Sequence, residues 1–426
     1  MKKFLFLIVF AALCLMPIFS DAGTDVIVDY DNLDEFDDEF DDFDALFDDA
    51  PDDIVVEEAP LPKVISQETE KGSLLKLTGS FSGKLGAAAT YDDSIEETAE
   101  KKKFNPGGLI EMSNTLSLSV KPSELFSLSG SMSTSFSGKF SLSVGSLYFN
   151  TLLFDTLYVS AGKKGISWGN LKIFSNTVLS DSGSGVTCEI RYPWALGTLS
   201  GVVLFDYNKY GTSDFSWRNM NFAADGDITI LNTNINAFIR KYPELSFPSR
   251  EKPVVTGTKF LTGLELKRTI FGFDIYAQGI TFFNETKESK NEQYESKTEF
   301  AKVTATGGFY RLWDGFTPNI GINIEYQYSF DATVEDATKA HTHLINAEFG
   351  IKKIGPAQNM KGAVKWNHDF IKESGNVDIG FIISSLIPYA DWENGLKITY
   401  GRLDSNKETL PPKFEFGTAL KFSLSY

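Results

Sequence analysis

The stretch Phe414-Glu415-Phe416-Gly417-Thr418-Ala419-Leu420-Lys421-Phe422-Ser423-Leu424-Ser425-Tyr426 alternates between two kinds of side chain. Phe414, Phe416, Leu420, Phe422, Leu424 and Tyr426 fall on one face. Glu415, Gly417, Ala419, Lys421, Ser423 and Ser425 fall on the other. Successive side chains of a strand point to opposite faces, so the stretch reads as one long strand with an apolar and a polar side.

The same pattern recurs upstream. Ile320, Ile322, Ile324, Tyr326, Tyr328 and Phe330 alternate with Gly321, Asn323, Glu325, Gln327 and Ser329. Ile345, Ala347, Phe349 and Ile351 alternate with Asn346, Glu348, Gly350 and Lys352. Near the front, Leu116, Leu118 and Val120 alternate with Ser117 and Ser119, and Phe126, Leu128 and Met132 with Ser127, Ser129 and Ser131. The segments at 254–268, 298–311 and 341–354 exceed the roughly 5–6 residues usual for a strand. They match the roughly 9–11 tilted residues that cross a bilayer's apolar core.

Connections alternate in length. Tight turns are expected at Glu393-Asn394-Gly395, Gly355-Pro356-Ala357, Trp313-Asp314-Gly315 and Arg268-Thr269. Longer polar loops are expected at 404–412, 331–340, 284–297 and 241–253, with a short 372–375 where a long one is due. Ten strands count back from the end to residue 228 and five count forward from 74 to 164. The stretch 165–227 holds one more or three. The expected fold is all-β: a transmembrane antiparallel up-and-down barrel over 73–426, of about 16 strands (range 14–18).

The front of the chain differs. Lys2-Lys3, an apolar run from Phe4 to Met16 and Ser20-Asp21-Ala22 read as a signal peptide over 1–22. Cys14 lies inside that run behind the bulky Leu13, which disfavours lipidation. With the signal removed, Cys188 is alone and forms no internal disulfide. Residues 24–62 hold 17 Asp and Glu and no Lys or Arg. That segment carries almost all of the net charge of −17; with 39 acids against 38 bases, residues 63–426 are close to neutral. Neither part is basic enough to bind nucleic acid.

Within the acidic segment and Pro-containing linker of 23–72, Leu33, Phe36, Phe40, Phe43 and Phe47 follow near-heptad spacing. A short amphipathic helix over 31–49, crowded by carboxylates, or a disordered segment is expected. Its readings are a solvated tail, a docking face for a basic periplasmic partner, or self-association. No ordered Ca²⁺-binding loop pattern is present.

These features together resemble the bacterial outer-membrane β-barrel proteins, porin-like in size. The signal, the run of two-faced strands over 73–426 and the aromatic-ended last strand carry the resemblance. It implies an outer-membrane location after export. It also implies that Leu420, Phe422, Leu424 and Tyr426 act as the signal read by the barrel assembly machinery. Gly162-Lys163-Lys164, followed by Trp168-Gly169 and Phe174, is similar to a pattern that some substrate-specific porins carry on a strand leading into the pore. The acidic segment is a departure from simple porins.

A barrel satisfies every backbone group in hydrocarbon, with apolar faces to lipid and polar faces inward. The expected lumen-lining residues are Glu265, Lys267, Lys302, Asn323, Glu325 and Gln327, together with Asn346, Glu348, Lys352, Glu415 and Lys421. A wet lumen of mixed charge suits passive passage of small hydrophilic solutes with little ion selectivity. The alternative is a structural or surface-binding barrel tethered through its acidic segment. The mostly polar inward faces argue against a greasy internal pocket. The Ser and Gly faces of 113–145 leave room for a loop folded inward. Phe309, Tyr310, Trp313, Phe282, Phe283, Tyr389 and Trp392 are expected in interfacial girdles.

Enzyme chemistry is not expected: there is no G-x-S-x-G and no P-loop, and only His341, His343 and His368 supply imidazoles. No cofactor or metal is expected, His341 and His343 lacking a completing ligand. Cys188 reads as an inert strand residue.

Overall fold

The computed structural model describes residues 75–95, 102–174, 179–181, 185–246, 248, 254–290, 293–315, 317–336, 339–387, 390–404 and 408–425. The expected signal peptide, the acidic segment with Leu33, Phe36, Phe40, Phe43 and Phe47, and Tyr389 and Tyr426 lie outside them.

The strands are β1 (Leu75–Asp92), β2 (Phe104–Ser123), β3 (Phe126–Phe136), β4 (Phe140–Leu153), β5 (Leu157–Lys163), β6 (Ile166–Trp168) and β7 (Leu179–Asp181). Then follow β8 (Val186–Trp194), β9 (Gly197–Phe205), β10 (Met220–Ile230), β11 (Thr233–Lys241), β12 (Val254–Ile270), β13 (Phe273–Lys290) and β14 (Gln293–Trp313). The last are β15 (Asn319–Asp331), β16 (His341–Ile354), β17 (Met360–Asp369), β18 (Ser374–Ile387), β19 (Ala390–Tyr400) and β20 (Lys413–Ser425). All but β6 and β7 form one 18-stranded antiparallel sheet in which each strand pairs with its sequence neighbours. β1 pairs with β20, from Ser80 opposite Ser425 to Asp92 opposite Lys413, so the sheet closes and has no edge.

The count is 18 rather than about 16. The stretch that resisted parsing supplies β8, β9 and β10. The first two are nine-residue strands, and Pro193 stands near the end of β8. Two expected turns are displaced. Glu393, Asn394 and Gly395 lie inside β19, opposite Ile382, Phe381 and Gly380. Arg268 and Thr269 are paired in β12, and the turn falls at Phe271–Gly272, both with positive φ. The expected loop at 284–297 is instead a strand extension, Glu285 pairing with Thr298 and Glu288 with Glu295. Polar composition alone does not stop a hairpin whose backbone bonds continue.

Connections of two to five residues after β2, β4, β8, β10, β12, β14, β16 and β18 gather on one rim, here the turn rim. The loops after β1, β5, β9, β11, β15 and β19 lie on the other, the loop rim. Two turns, Leu231–Asn232 and Phe271–Gly272, hold both residues in the left-handed region, the form whose twist matches antiparallel strands.

Burial separates the faces. Leu85, Leu142, Leu147, Leu199 and Ile239 are each more than half exposed, with Phe349, Phe381 and Phe416 not far below. A soluble protein does not present apolar side chains around its whole circumference. Glu265, Glu325, Glu189 and Asn323 on the opposite face are at most 2% exposed. The barrel is apolar outside and polar inside, the arrangement that hydrocarbon requires.

The aromatic residues split by this alternation. Phe309 and Trp313 meet Phe273 on the outer face, Phe283 stacks on Phe260, and Trp392 meets Phe381. Tyr310 and Phe282 do not join a girdle. Their positions alternate with Phe309 and Phe283, and both turn inward against apolar clusters. The three histidines face outward, with Nδ1 of His341, His343 and His368 against the hydroxyls of Tyr328, Tyr326 and Tyr400. Cys188 is exposed on the outer face of β8.

Candidate functional site: a loop held across the lumen

β5 ends at Lys163 and β8 begins at Val186, and the chain between them turns into the barrel. Gly162 starts the turn at φ 136°; a Cβ there would lie 2.3 Å from the Leu147 carbonyl oxygen, so only glycine fits. Lys164 reaches Glu189 Oε2 at 2.5 Å, and Arg191 Nε donates to Glu189 Oε1 at 2.7 Å. Glu189 is thereby neutralised at the root of the loop. β6 and β7 pair as a small hairpin within it.

The hairpin has an apolar underside. Ile166, Trp168 and Leu179 are buried against Val202, Leu204, Ala223, Phe238, Leu261 and Ile280 of β9 to β13. Those strand residues share the inward face with Glu189 and Glu265, as the register requires. Over β9 to β13 the inward faces, expected to be mostly polar, thus also carry an apolar patch. The apolar inward residues are scattered, two on β9 and one on each of β10 to β13, and only the closed sheet assembles them into a patch that the loop covers.

Beyond Gly169 the chain crosses to the far wall. The Asn170 N–H donates to Glu265 Oε1 at 2.6 Å. The N–H groups of Lys172 and Ile173 donate to Glu325 Oε1 at 2.6 and 3.1 Å, and that of Phe174 to Oε2 at 2.7 Å. Tyr276 Oη lies 2.7 Å from Glu325 Oε1 and 2.9 Å from Asn323 Oδ1. Three successive N–H groups converging on one carboxylate form an anion-binding nest, here filled by the barrel's own side chain. Leu171 is buried with Tyr276, Tyr310, Ala363 and Ile382. Lys172 Nζ sits 3.7 Å from the centre of the Tyr310 ring, a cation–π contact. Lys172 stands on the loop rather than on a strand, and its burial, with Lys267 nearby, lowers its ammonium to about 8.

The eleven residues expected in the lumen all lie on the inward face, in two settings. Glu265 and Glu325 hold the loop. Asn323 belongs to the Tyr276 cluster, and Gln327 donates to Thr306 at 3.1 Å. Of the others, Glu348 and Glu415 join a charge pattern that register imposes on β16 to β20. Glu348, Lys365, Asp378, Lys397 and Glu415 stand opposite one another strand by strand, alternating in sign. Lys365 meets Glu348 at 3.3 Å, Glu415 pairs with Lys413, and Lys421 lies 3.9 Å from Glu393. Lys302 is opposite Asp331, Lys352 opposite Asn319, and Lys267 opposite Tyr276. Asn346 is buried opposite Asn367. In β20, Leu420, Phe422 and Leu424 stand opposite Leu85, Gly83 and Phe81.

Sequence reading missed Asn170, Leu171, Lys172 and Ile173, and their anchors Tyr276 and Tyr310. The signal that could have found them was the Gly162…Trp168-Gly169…Phe174 pattern, which lies on this loop.

The wall opposite the loop is different. The inward residues of β2 to β4 from Ser113 to Ser146 are hydroxyls apart from Lys121 at the turn rim, then Tyr148 and Asn150, and none of them is buried. Side-chain bonds cross the strands: Ser82 to Ser113 at 2.6 Å, Thr115 to Ser133 at 3.0 Å, Ser131 to Ser146 at 2.8 Å.

No family model and no curated protein matches the sequence. Among solved structures the chain is similar to the outer membrane channel DcaP of Acinetobacter baumannii, at 10% identity and a TM-score of 0.44 over 85% of this chain and 100% of that one. It is similar to Acinetobacter baumannii OccAB3 at 7% identity and 0.47, over 82% and 100%. It is similar to Pseudomonas aeruginosa OccK8 (OprE) at 8% identity and 0.46, over 82% and 98%. At these values the likenesses leave this chain's solute and partners unassigned.

Proposed function

We propose that this chain is an outer-membrane channel that passes small hydrophilic solutes through a lumen narrowed by the inward loop. The observation that carries the reading is the unequal burial of the two inner walls. On β8 to β15 many inward side chains are buried, several of them beneath the loop, whereas on β2 to β4 none of those from Ser113 to Asn150 is. A barrel filled for purely structural purposes would bury both walls. An 18-stranded barrel is wide enough to hold such a loop and still leave an aqueous path.

The charge pattern on β16 to β20 supports weak ion selectivity, because alternating signs on adjacent strands cancel within a few ångströms. The apolar outer belt supports residence in a bilayer. Purified, folded protein added to a planar lipid bilayer is expected to give stepwise conductance increments with a reversal potential near zero in a salt gradient. Insertion into the bilayer without any increments would overturn the reading.

A further inference from the structure

We infer that the solutes favoured by this channel are uncharged and hydroxyl-rich, of the size of small sugars and polyols. The inference rests on the channel reading above and adds a substrate class to it.

The argument starts from the water-accessible wall. On the inward face of β2, β3 and β4, the one charged side chain between Ser113 and Asn150 is Lys121, at the turn-rim end of β2; the rest of the span carries none. Lys84 and Glu111, opposite one another, stand beside its edge, and Lys84 lies 3.5 Å from Glu393. Asn150 Nδ2 donates to Ser127 Oγ at 3.4 Å, and Ser135 and Ser141 meet at 2.6 Å. These bonds, like those between Thr115 and Ser133 and between Ser131 and Ser146, pair side chains laterally along the wall.

Each hydroxyl carries one donor and two acceptor positions. A lateral pair therefore leaves unused capacity directed at the lumen, and water fills it. A polyol can replace those waters hydroxyl for hydroxyl as it moves along the wall, so it keeps its hydrogen bonds throughout. Beyond Lys121 at the turn rim, an ion of similar size gains no opposite charge from this wall and must retain its hydration shell in a narrowed passage. The opposite wall offers ions little, because its carboxylates already hold loop N–H groups or basic side chains. Small side chains also keep the wall flat, and Gly145 is seated where a Cβ would lie 2.8 Å from Ser131 Oγ.

The test is swelling of proteoliposomes holding the full-length protein, with sorbitol, gluconate and glucosamine as solutes of similar size and different charge. KCl conductance is recorded on the same preparation. Sorbitol is expected to enter about threefold faster than either charged solute, the effect of roughly one net hydrogen bond. The double variant T115V/S133V removes both partners of one lateral bond. Its sorbitol-to-gluconate rate ratio is expected to fall, with retained heat-modifiable migration as the check on folding. KCl conductance with equal entry of all three solutes, or with a ratio unmoved in the variant, would overturn the substrate class and leave the channel standing. Neither conductance nor swelling from folded, inserted protein would overturn both.

Discussion

Glu325, in the middle of β15, accepts the backbone N–H of Phe174, 151 residues earlier in the chain, at 2.7 Å. The second oxygen of the same carboxylate takes the N–H groups of Lys172 and Ile173. One side chain thus fixes three successive residues of a loop that has left its own strand pair and crossed the barrel. Charge-assisted bonds of this kind are stronger than neutral ones, and replacing one oxygen by an NH₂ group sets donor against donor. The Glu325→Gln variant is expected to keep the barrel folded while loosening the loop. Single-channel recordings should show larger and noisier openings than the parent. Openings of the same size and noise would mean that the apolar underside, Ile166, Trp168 and Leu179, holds the loop without help.

Lys172 gives a pH dependence with a definite sign. Burial lowers its ammonium to about 8, so it is largely charged at pH 7 and largely neutral at pH 9. Raising the pH through that window removes a positive charge from the loop. The reversal potential in a KCl gradient is expected to move toward cation selectivity between pH 7 and 9. In Lys172→Met the charge is gone at both pH values, and the step should vanish. A step of equal size in the variant would assign the titration to another group.

The barrel itself was legible in the sequence because alternation is a local property. Any six residues of β15, such as Ile320 to Glu325, report which side is greasy. The strand count was less legible, because β8 and β9 are nine residues each and the turn between them, Ala195–Leu196, has no Gly or Asn at its two positions. The site was the least legible. Glu325 carries the same polar signature as Gln327 two residues away, yet one holds a loop and the other bonds to Thr306. What separates them is the arrival of a distant segment, which leaves no mark on β15. Val202 and Leu261 likewise look like ordinary strand residues until closure brings them to one patch.

Closure has its own fastening at the loop rim. Arg402 donates from Nη1 to Asp92 Oδ2 at 2.6 Å and from Nη2 to Asp92 Oδ1 at 2.8 Å, and Nη2 also reaches the Pro411 carbonyl at 2.8 Å. The pair ties the loop after β19 to the end of β1, next to the seam with β20. Both partners are partly shielded, with side-chain exposures of 22% and 9%. Arg402→Ala leaves the Asp92 carboxylate without its fork and is expected to lower unfolding stability by about 1–3 kcal/mol. Urea titration of folded barrel in detergent micelles, followed by tryptophan fluorescence, reads the change. A midpoint indistinguishable from the parent would show the pair to be incidental to closure.

The turn rim offers a test of opposite sign. Leu231 has φ 51° and is 85% exposed, between β10 and β11. A leucine in the left-handed region suffers a Cβ clash with the following carbonyl, costing roughly 1–2 kcal/mol. Glycine removes that clash, although its freer unfolded chain takes back about 0.5–1 kcal/mol. The isobutyl group touches too little protein for its loss to matter within the barrel. Leu231→Gly is therefore expected to stabilise the barrel in micelles by about 0.5–1 kcal/mol, seen as a higher urea midpoint at unchanged slope. A lower midpoint would show that the exposed side chain is anchored in the surrounding amphiphile more strongly than its backbone is strained. Phe154 and Phe271, at φ 54° in other turns of the same rim and still more exposed, would then be expected to behave in the same way.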